Sequence, residues 1–207
     1  MTDASPPRGL PLGTPVLTPL GPAAVETLAP GAVVLAVSGE AAPFQTVLGL
    51  RRARAEGPVV RIRAGALADG TPHEDLLLPP AHALLLDDAL VAAGDLVDGH
   101  AILREAPDGP LDLAELVLAT HDAVLALGAA VETALPAEDA PPCLPRRAAD
   151  GPLRALLSWR AELLGWAPPA AIGAGPDTVA PATLRQRLAA SPLAPVTPPV
   201  PPLSGAG

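Results

Sequence analysis

Few side chains in this sequence can do chemistry, and they stand where the character of the chain changes. His82 follows LLLPPA and opens ALLLDD, so a titratable ring lies just past Pro79 and Pro80, which break an apolar run. His121 and Asp122 form a second pair, ahead of AVLALGAAV. An imidazole can move a proton near neutral pH, and a carboxylate beside it can orient the ring. Each also has a plainer reading. His82 can be a core histidine bonded to a backbone carbonyl, and His121–Asp122 a satisfied polar pair at a strand start. Cys143 is the single cysteine and reads as a free thiol in a linker. One cysteine excludes an internal disulfide and a thiolate zinc cage. His73 and His100 fall in loop-like sequence, and the four histidines lack metal-site spacing. No cofactor or metal is implied. Arg51, Arg52 and Arg54 read as a solvated strand end.

The elements that must position these groups are short. From Gly13 to about Leu135, apolar runs are punctuated every 8–12 residues by Gly, Pro or Asp, a rhythm of many strands and an all-β domain over 13–135. Expected strands include 15–18, 24–28, 33–37, 44–51, 59–62, 75–78, 83–86, 90–92, 101–104, 113–118, 124–127 and 131–134. The continuous apolar runs at Leu77–Leu78 and Leu84–Leu86 predict burial on both faces. VETLAPGAVVL (25–35) and AGDLVDGHAIL (93–103) align without a gap, pairing Leu28 with Leu96, Gly31 with Gly99 and Val34 with Ile102. Such an echo within one β domain points to two related halves, although apolar-x-x-Gly turns also recur by chance in glycine-rich sequence. Residues 1–12 are Pro-rich and expected to be loose. Residues 136–190 form a linker and helical extension. PLRALLSWRAELL predicts a helix over 152–165, with Leu153, Leu156, Leu157, Arg160 and Leu164 on one side, Asp150 as N-cap and Gly165 as the stop. A short second helix is expected at 182–190, and 191–207 is a Pro-rich tail expected to be disordered.

Composition narrows the partners. The chain has 207 residues, and 49% of them are apolar, enough to bury a core. Aromatics are limited to Phe44, Trp159 and Trp166, so that core must be Leu, Val and Ala. All basic side chains are arginine, and the net charge of −9 disfavours nucleic acid and anionic membrane as partners. No window approaches the ~18 apolar residues of a membrane-spanning helix, and the N-terminus lacks signal-peptide character. The cytoplasm is the default compartment and a monomer the default state. A protein partner and an export signal outside the N-terminus stay open.

Several motifs, in order, carry a resemblance. Gly13-Thr14, then Val25-Glu26, Leu28, Gly31 and Val34, resemble the opening of a bacterial Hint domain, the hedgehog/intein autoprocessing fold. VRIRAGAL (60–67) and DLLLPPAHAL (75–84) are similar to its central signature. His121, Asp122, Gly128, Glu132 and Thr133 resemble its closing one. PCLPRRAADGPLRALLSWRAELLGW is similar to the linker and helix that follow the domain in relatives. The resemblance covers about residues 9–166. It implies an all-β, pseudo-two-fold fold and an acyl shift. In that chemistry an N-terminal Cys or Ser attacks the preceding carbonyl, a Thr/Ser-x-x-His element polarises that peptide bond, and a second nucleophile resolves the ester or thioester.

The same resemblance exposes two departures. The nucleophile position, four residues before the Gly-Thr pair, is Gly9. The hydroxyl position, three before the motif histidine, is Pro79. His82, His121, Asp122 and Thr14 are the remnants matched to family motifs. Ser5 and Thr14 are the remaining hydroxyls that an altered mechanism could recruit. The expectation is a degenerate copy acting as a scaffold or interaction module and not as an enzyme. The alternative is a self-cleaving or trans-acting autoprocessing domain with an unusual nucleophile.

Overall fold

A computed structural model describes residues 6–37 and 43–168. The expected helix at 182–190 and the tail at 191–207 lie outside the described residues, as does Ser5. Fourteen strands and one α-helix are described, with two 3₁₀ turns. The all-β expectation is met. The core is aliphatic as composition requires, with Ile62, Leu76, Leu78, Leu84, Leu96 and Ile102 among its fully buried side chains.

Hairpin β2–β3 (Pro15–Thr18, Gly21–Ala24) leads into the 3₁₀ turn η1 (Val25–Thr27), and hairpin β9–β10 (Ala83–Leu86, Ala89–Ala92) leads into η2 (Ala93–Leu96). The faint sequence echo is therefore an echo of element order, and it begins ten residues before the first aligned motif. Gly31 and Gly99 occupy equivalent turns with φ of 93° and 77°, a region that a side chain disfavours. One six-stranded sheet joins both halves in the order β10-β9-β14-β13-β2-β3. Its centre is the hairpin β13–β14 (Ala123–Ala126, Ala129–Glu132), so each outer hairpin borders one strand of the inner one. The two seven-residue strands β6 (Gly49–Ala55) and β12 (Leu111–Val117) pair antiparallel along their whole length. Strand β11 (Ile102–Glu105) pairs with β7 (Val59–Ile62), which pairs with β8 (Leu76–Leu78). A further pair, β4–β5, joins Val33–Leu35 to Phe44–Thr46.

Several local expectations are corrected. Residues 24–28 are not a strand: Val25–Thr27 is a 3₁₀ turn, whose i, i+3 spacing buries Val25 and Leu28 as a strand's alternation would not. The stretch 44–51 divides into β5 and β6, with the intervening Val47 fully buried. Leu77, Leu85 and Leu86 are only half-buried, so those apolar runs do not bury both faces. Leu10–Pro11, placed by composition in a loose segment, forms strand β1 against β12, with Leu10 buried. A proline fits there because β1 lies at the edge of its sheet.

The helix α1 spans Gly151–Leu163. Asp150 caps it, its side chain accepting the Leu153 N–H at 2.9 Å. The buried stripe is Leu157, Arg160 and Ala161, while Leu156 and Leu164 are exposed, so the apolar face is narrower than the sequence pattern predicts. Arg160 crosses to the loop after β7, donating to the Gly65 carbonyl and pairing with Asp69 at 2.9 Å. Arg63 stacks over Trp166 at 5.4 Å, fixing the same loop to the helix end. No helix among the described residues is long and apolar enough to cross a membrane.

Candidate functional site

Pro79 and Pro80 lack the N–H that a ladder needs, so β8 stops and the chain turns. The His82 N–H closes that turn on the Pro79 carbonyl at 3.0 Å. The turn is held against η2 by Ala93 N–H to the His82 carbonyl and Gly94 N–H to the Pro80 carbonyl, both 2.9 Å. A side chain at Gly94 would meet Pro80 O at 3.1 Å, so the close approach needs glycine. His82 is thereby fixed at the mouth of β9, almost fully buried.

Its Nδ1 does not bond a carbonyl, as the plainer reading had it. It accepts the N–H of Gly9 at 3.1 Å. The ring is therefore neutral with its proton on Nε2, which is buried without a partner. Seventy-three residues separate the two groups in sequence. The bond forms because β1 docks on β12 and carries Gly9 inward. The peptide nitrogen joining Arg8 to Gly9 thus lies on the histidine of the Pro79–His82 turn.

A buried carboxylate lies beside this pair. Glu132, at the end of β14, accepts the Ala83 N–H at 2.7 Å and forms an ion pair with Arg146. His82 Nδ1 is 3.9 Å from one of its oxygens, and His121 Nε2 is 3.7 Å from the other, both beyond hydrogen-bond length. The two histidines expected at the site are brought together, and the group between them is Glu132. The sequence reading matched Glu132 to the closing motif without giving it a role; only its place in the motif that also carries His121 and Asp122 could have marked it.

The charges follow from burial and these neighbours. Burial pushes His82 down to about 4, with Glu132 opposing and Arg8, Arg146 and His121 adding to the drop. Burial alone would raise Glu132, but His121, His82 and Arg146 outweigh it and hold the carboxyl at about 2. Burial likewise opposes charge on His121, yet the Cys143 and Glu132 side chains raise it to about 9. The Cys143 N–H, donating to Nδ1 of His121 at 3.0 Å, favours the neutral ring and works against that rise. Glu115, on β12 beside the Gly9 segment, is raised by burial and by Glu132.

The other expected residues divide. Asp122 is buried beside His121, its carboxylate accepting the Ala123 N–H at 2.7 Å, and the Thr133 hydroxyl bonds its backbone. It shapes the strand start. Thr14 donates its hydroxyl to the Pro11 carbonyl at 2.7 Å and closes the turn between β1 and β2. Pro79 is buried and has no side-chain donor. Cys143, in the linker after β14, donates its N–H to Nδ1 of His121. Linker residues reach the centre because Pro145 and Arg147 bond the backbone of Leu90 on β10, placing Arg146 against Glu132.

Chemically, the arrangement holds one amide N–H on a histidine lone pair in a water-poor setting. A ring so placed can deliver a proton to a departing nitrogen. At neutral pH His82 does not carry the extra proton, and Gly9 presents no attacking atom.

Two β halves that repeat one element order share the central sheet, and the segment around Gly9 is drawn onto the histidine of the Pro79–His82 turn. The chain belongs to the Hint domain family, whose model matches residues 9–138. Solved structures similar in fold include a bacterial intein-like domain from Clostridium thermocellum, at 16% identity and a TM-score of 0.48, covering 62% of this chain and 99% of that one. Another is a DnaB intein from Synechocystis sp. PCC 6803, at 10% identity and a TM-score of 0.48, covering 62% and 100%. Among curated proteins none matches the chain.

Proposed function

We propose that this Hint domain has lost self-cleavage and serves as a scaffold or interaction module. The observation that carries the reading is the backbone at Gly9. Its φ is +120°, and a Cβ built there would lie 3.1 Å from the Ala114 carbonyl oxygen and 3.2 Å from Glu115 Cγ. The position whose amide rests on His82 therefore lacks a nucleophile and has a conformation that disfavours any residue bearing one. Pro79 supports the same reading, because the turn offers no hydroxyl to orient the carbonyl of residue 8. Thr14 is committed to the Pro11 carbonyl and does not supply a substitute.

The competing reading is a self-cleaving or trans-acting domain with an unusual nucleophile. The retained Gly9–His82 contact favours it, since a ring that gained a proton on Nδ1 would stand beside the leaving nitrogen. Purified chain incubated with and without dithiothreitol and run on a denaturing gel separates the two. The degenerate reading expects one band in both lanes, whereas a thiol-dependent fragment supports the active domain.

A further inference from the structure

We propose that the cleft at the β13–β14 turn binds a small apolar amine, a single ring or short branched chain carrying one ammonium group. The six-stranded sheet has two unlike faces. Val16, Val124 and Ala126 are buried on one, where β2 and β13 meet the core. Leu17 and Leu125 alternate to the other face, and both are half-buried. The solvated face of an antiparallel sheet calls for polar residues. Here it carries an apolar floor, and the loop before β8 closes over its end. The His73 N–H donates to the Leu127 carbonyl at 2.7 Å. Its ring presses on Gly128, where a built Cβ would stand 2.8 Å from Nε2 and 2.9 Å from Cε1. Leu17, Leu125, Leu127, His73 and Glu74 line the resulting cleft of about 270 Å³.

The turn is built for such a wall. Leu127 sits at φ +50°, a left-handed conformation that a bulky side chain disfavours and where hairpin turns ordinarily place Asn, Asp or Gly. The β9–β10 hairpin follows that preference, with Asp87 at φ 52°. Leu127 is held from both sides, its N–H on the Pro15 carbonyl at 3.1 Å and its carbonyl under the His73 N–H. The leucine is half-buried, so core packing alone does not account for it, and backbone strain of this kind collects at ligand sites. Glu74 sets the charge. It stands exposed at the rim, and its side chain has no ion pair among the described residues. The neighbouring Asp75 is by contrast committed to Arg61 and to the Ala64 N–H. Among the described residues no arginine lines the cleft, so an occupant with an apolar body and one positive end matches floor and rim together. The volume falls just short of the roughly 300–1,000 Å³ of clefts for drug-sized ligands, which limits the occupant to one ring or a short branched chain. The cleft lies at the far end of β13–β14 from His121 and Glu132, roughly 10–15 Å along the strands, so the inference does not rest on the reading of that centre.

The test is a titration of the full chain, labelled with nitrogen-15, with phenethylamine at pH 7 and physiological salt, read by amide shifts. Phenethyl alcohol and phenylpropionate, of similar shape but neutral and negative, are the comparisons. The expected result is a saturable set of shifts at Leu17, His73, Leu125, Leu127 and Gly128. The amine should bind about 3-fold tighter than the alcohol, the size that an exposed ion pair supports, and the acid should bind weakest. The net charge of −9 attracts any cation, so Glu74→Gln separates local from general attraction. That variant should bring the amine to the affinity of the alcohol and leave the alcohol unchanged. Shifts that do not saturate, or that scatter over the surface, would overturn the proposal. So would an acid that binds as tightly as the amine, or a Glu74→Gln variant that keeps the amine's advantage. The comparison of the three probes on the unaltered chain stands even if the variant does not fold.

Discussion

Replacing Glu132 by Gln removes the charge at the centre of the site and keeps its shape. The Gln oxygen can still accept the Ala83 N–H, so the main loss is electrostatic. A carboxyl held at about 2 in the fold, against an ordinary value of 4.5, stabilises the folded chain by roughly 3 kcal/mol at neutral pH. Arg146 loses its partner but is 35% exposed, so its guanidinium can turn to water and adds little of the penalty for a stranded buried charge. The sign is set by a depressed folded value. The contribution is fully present above 4.5 and disappears as pH falls through 2. His121 adds a part of opposite sense. Its folded value is raised, so its support is complete below 6.5, is lost as pH rises through 9, and shrinks when Glu132 is neutral. Thermal unfolding of Glu132→Gln at pH 7 should lie about 6–12 °C below wild type, taking about 2–4 °C per kcal/mol for a domain of this size. The difference should close toward pH 2. A gap under about 2 °C at pH 7, or the same gap at both pH values, would refute the assignment of Glu132 as the charged centre of the site.

Three further outcomes follow from the same geometry. Nitrogen chemical shifts should show His82 as the neutral Nε2–H tautomer until pH falls to about 4, and a midpoint near 6.5 would contradict its burial. Because that value is depressed, His82 supports stability above 6.5 and withdraws it as pH falls through 4. Gly9→Ala should cost roughly 1–3 kcal/mol in urea unfolding, through φ of +120° and the contact with Ala114; a neutral substitution would show that the backbone there is relaxed. Asp150→Ala should cost about 1 kcal/mol and speed amide exchange at Leu153, whose N–H it leaves without its cap.

The strand rhythm was legible because Gly, Pro and Asp interrupt apolar runs at nearly every turn, and the two-half design because Gly31 and Gly99 mark equivalent left-handed turns. What failed locally was ambiguous in one dimension. Val25 and Leu28 fit a strand or a 3₁₀ turn, and only packing chooses. The helix face is narrower than its apolar spacing suggests: Arg160, expected on it, is buried by bonding the Gly65 carbonyl, while Leu156 and Leu164 are exposed. Leu10–Pro11 became a strand through the edge offered by β12, which no local pattern announces. His82 and His121 were readable as candidates from residue type and motif order. Glu132, Cys143 and Arg146 were not, since their roles arise when β14 and the following linker fold back over the Gly9 segment. Thr14 was the reverse case, a motif match whose hydroxyl closes a turn.

The central claim is that the Arg8–Gly9 peptide is held at a Hint-type centre which cannot attack it. Intact-mass measurement of the full chain after incubation with hydroxylamine or dithiothreitol tests that directly. Attack requires a lone pair within about 3–3.5 Å of the carbonyl, and replacing it with bulk water forfeits on the order of 7–11 kcal/mol. The account predicts a single species at 20.7 kDa under every condition. It also predicts that Gly9→Cys with Pro79→Thr regains only slow thiol-dependent cleavage before residue 9, and Gly9→Cys alone still less, because the backbone at residue 9 must first relax. A fragment ending at Arg8 from the unmodified chain would contradict it.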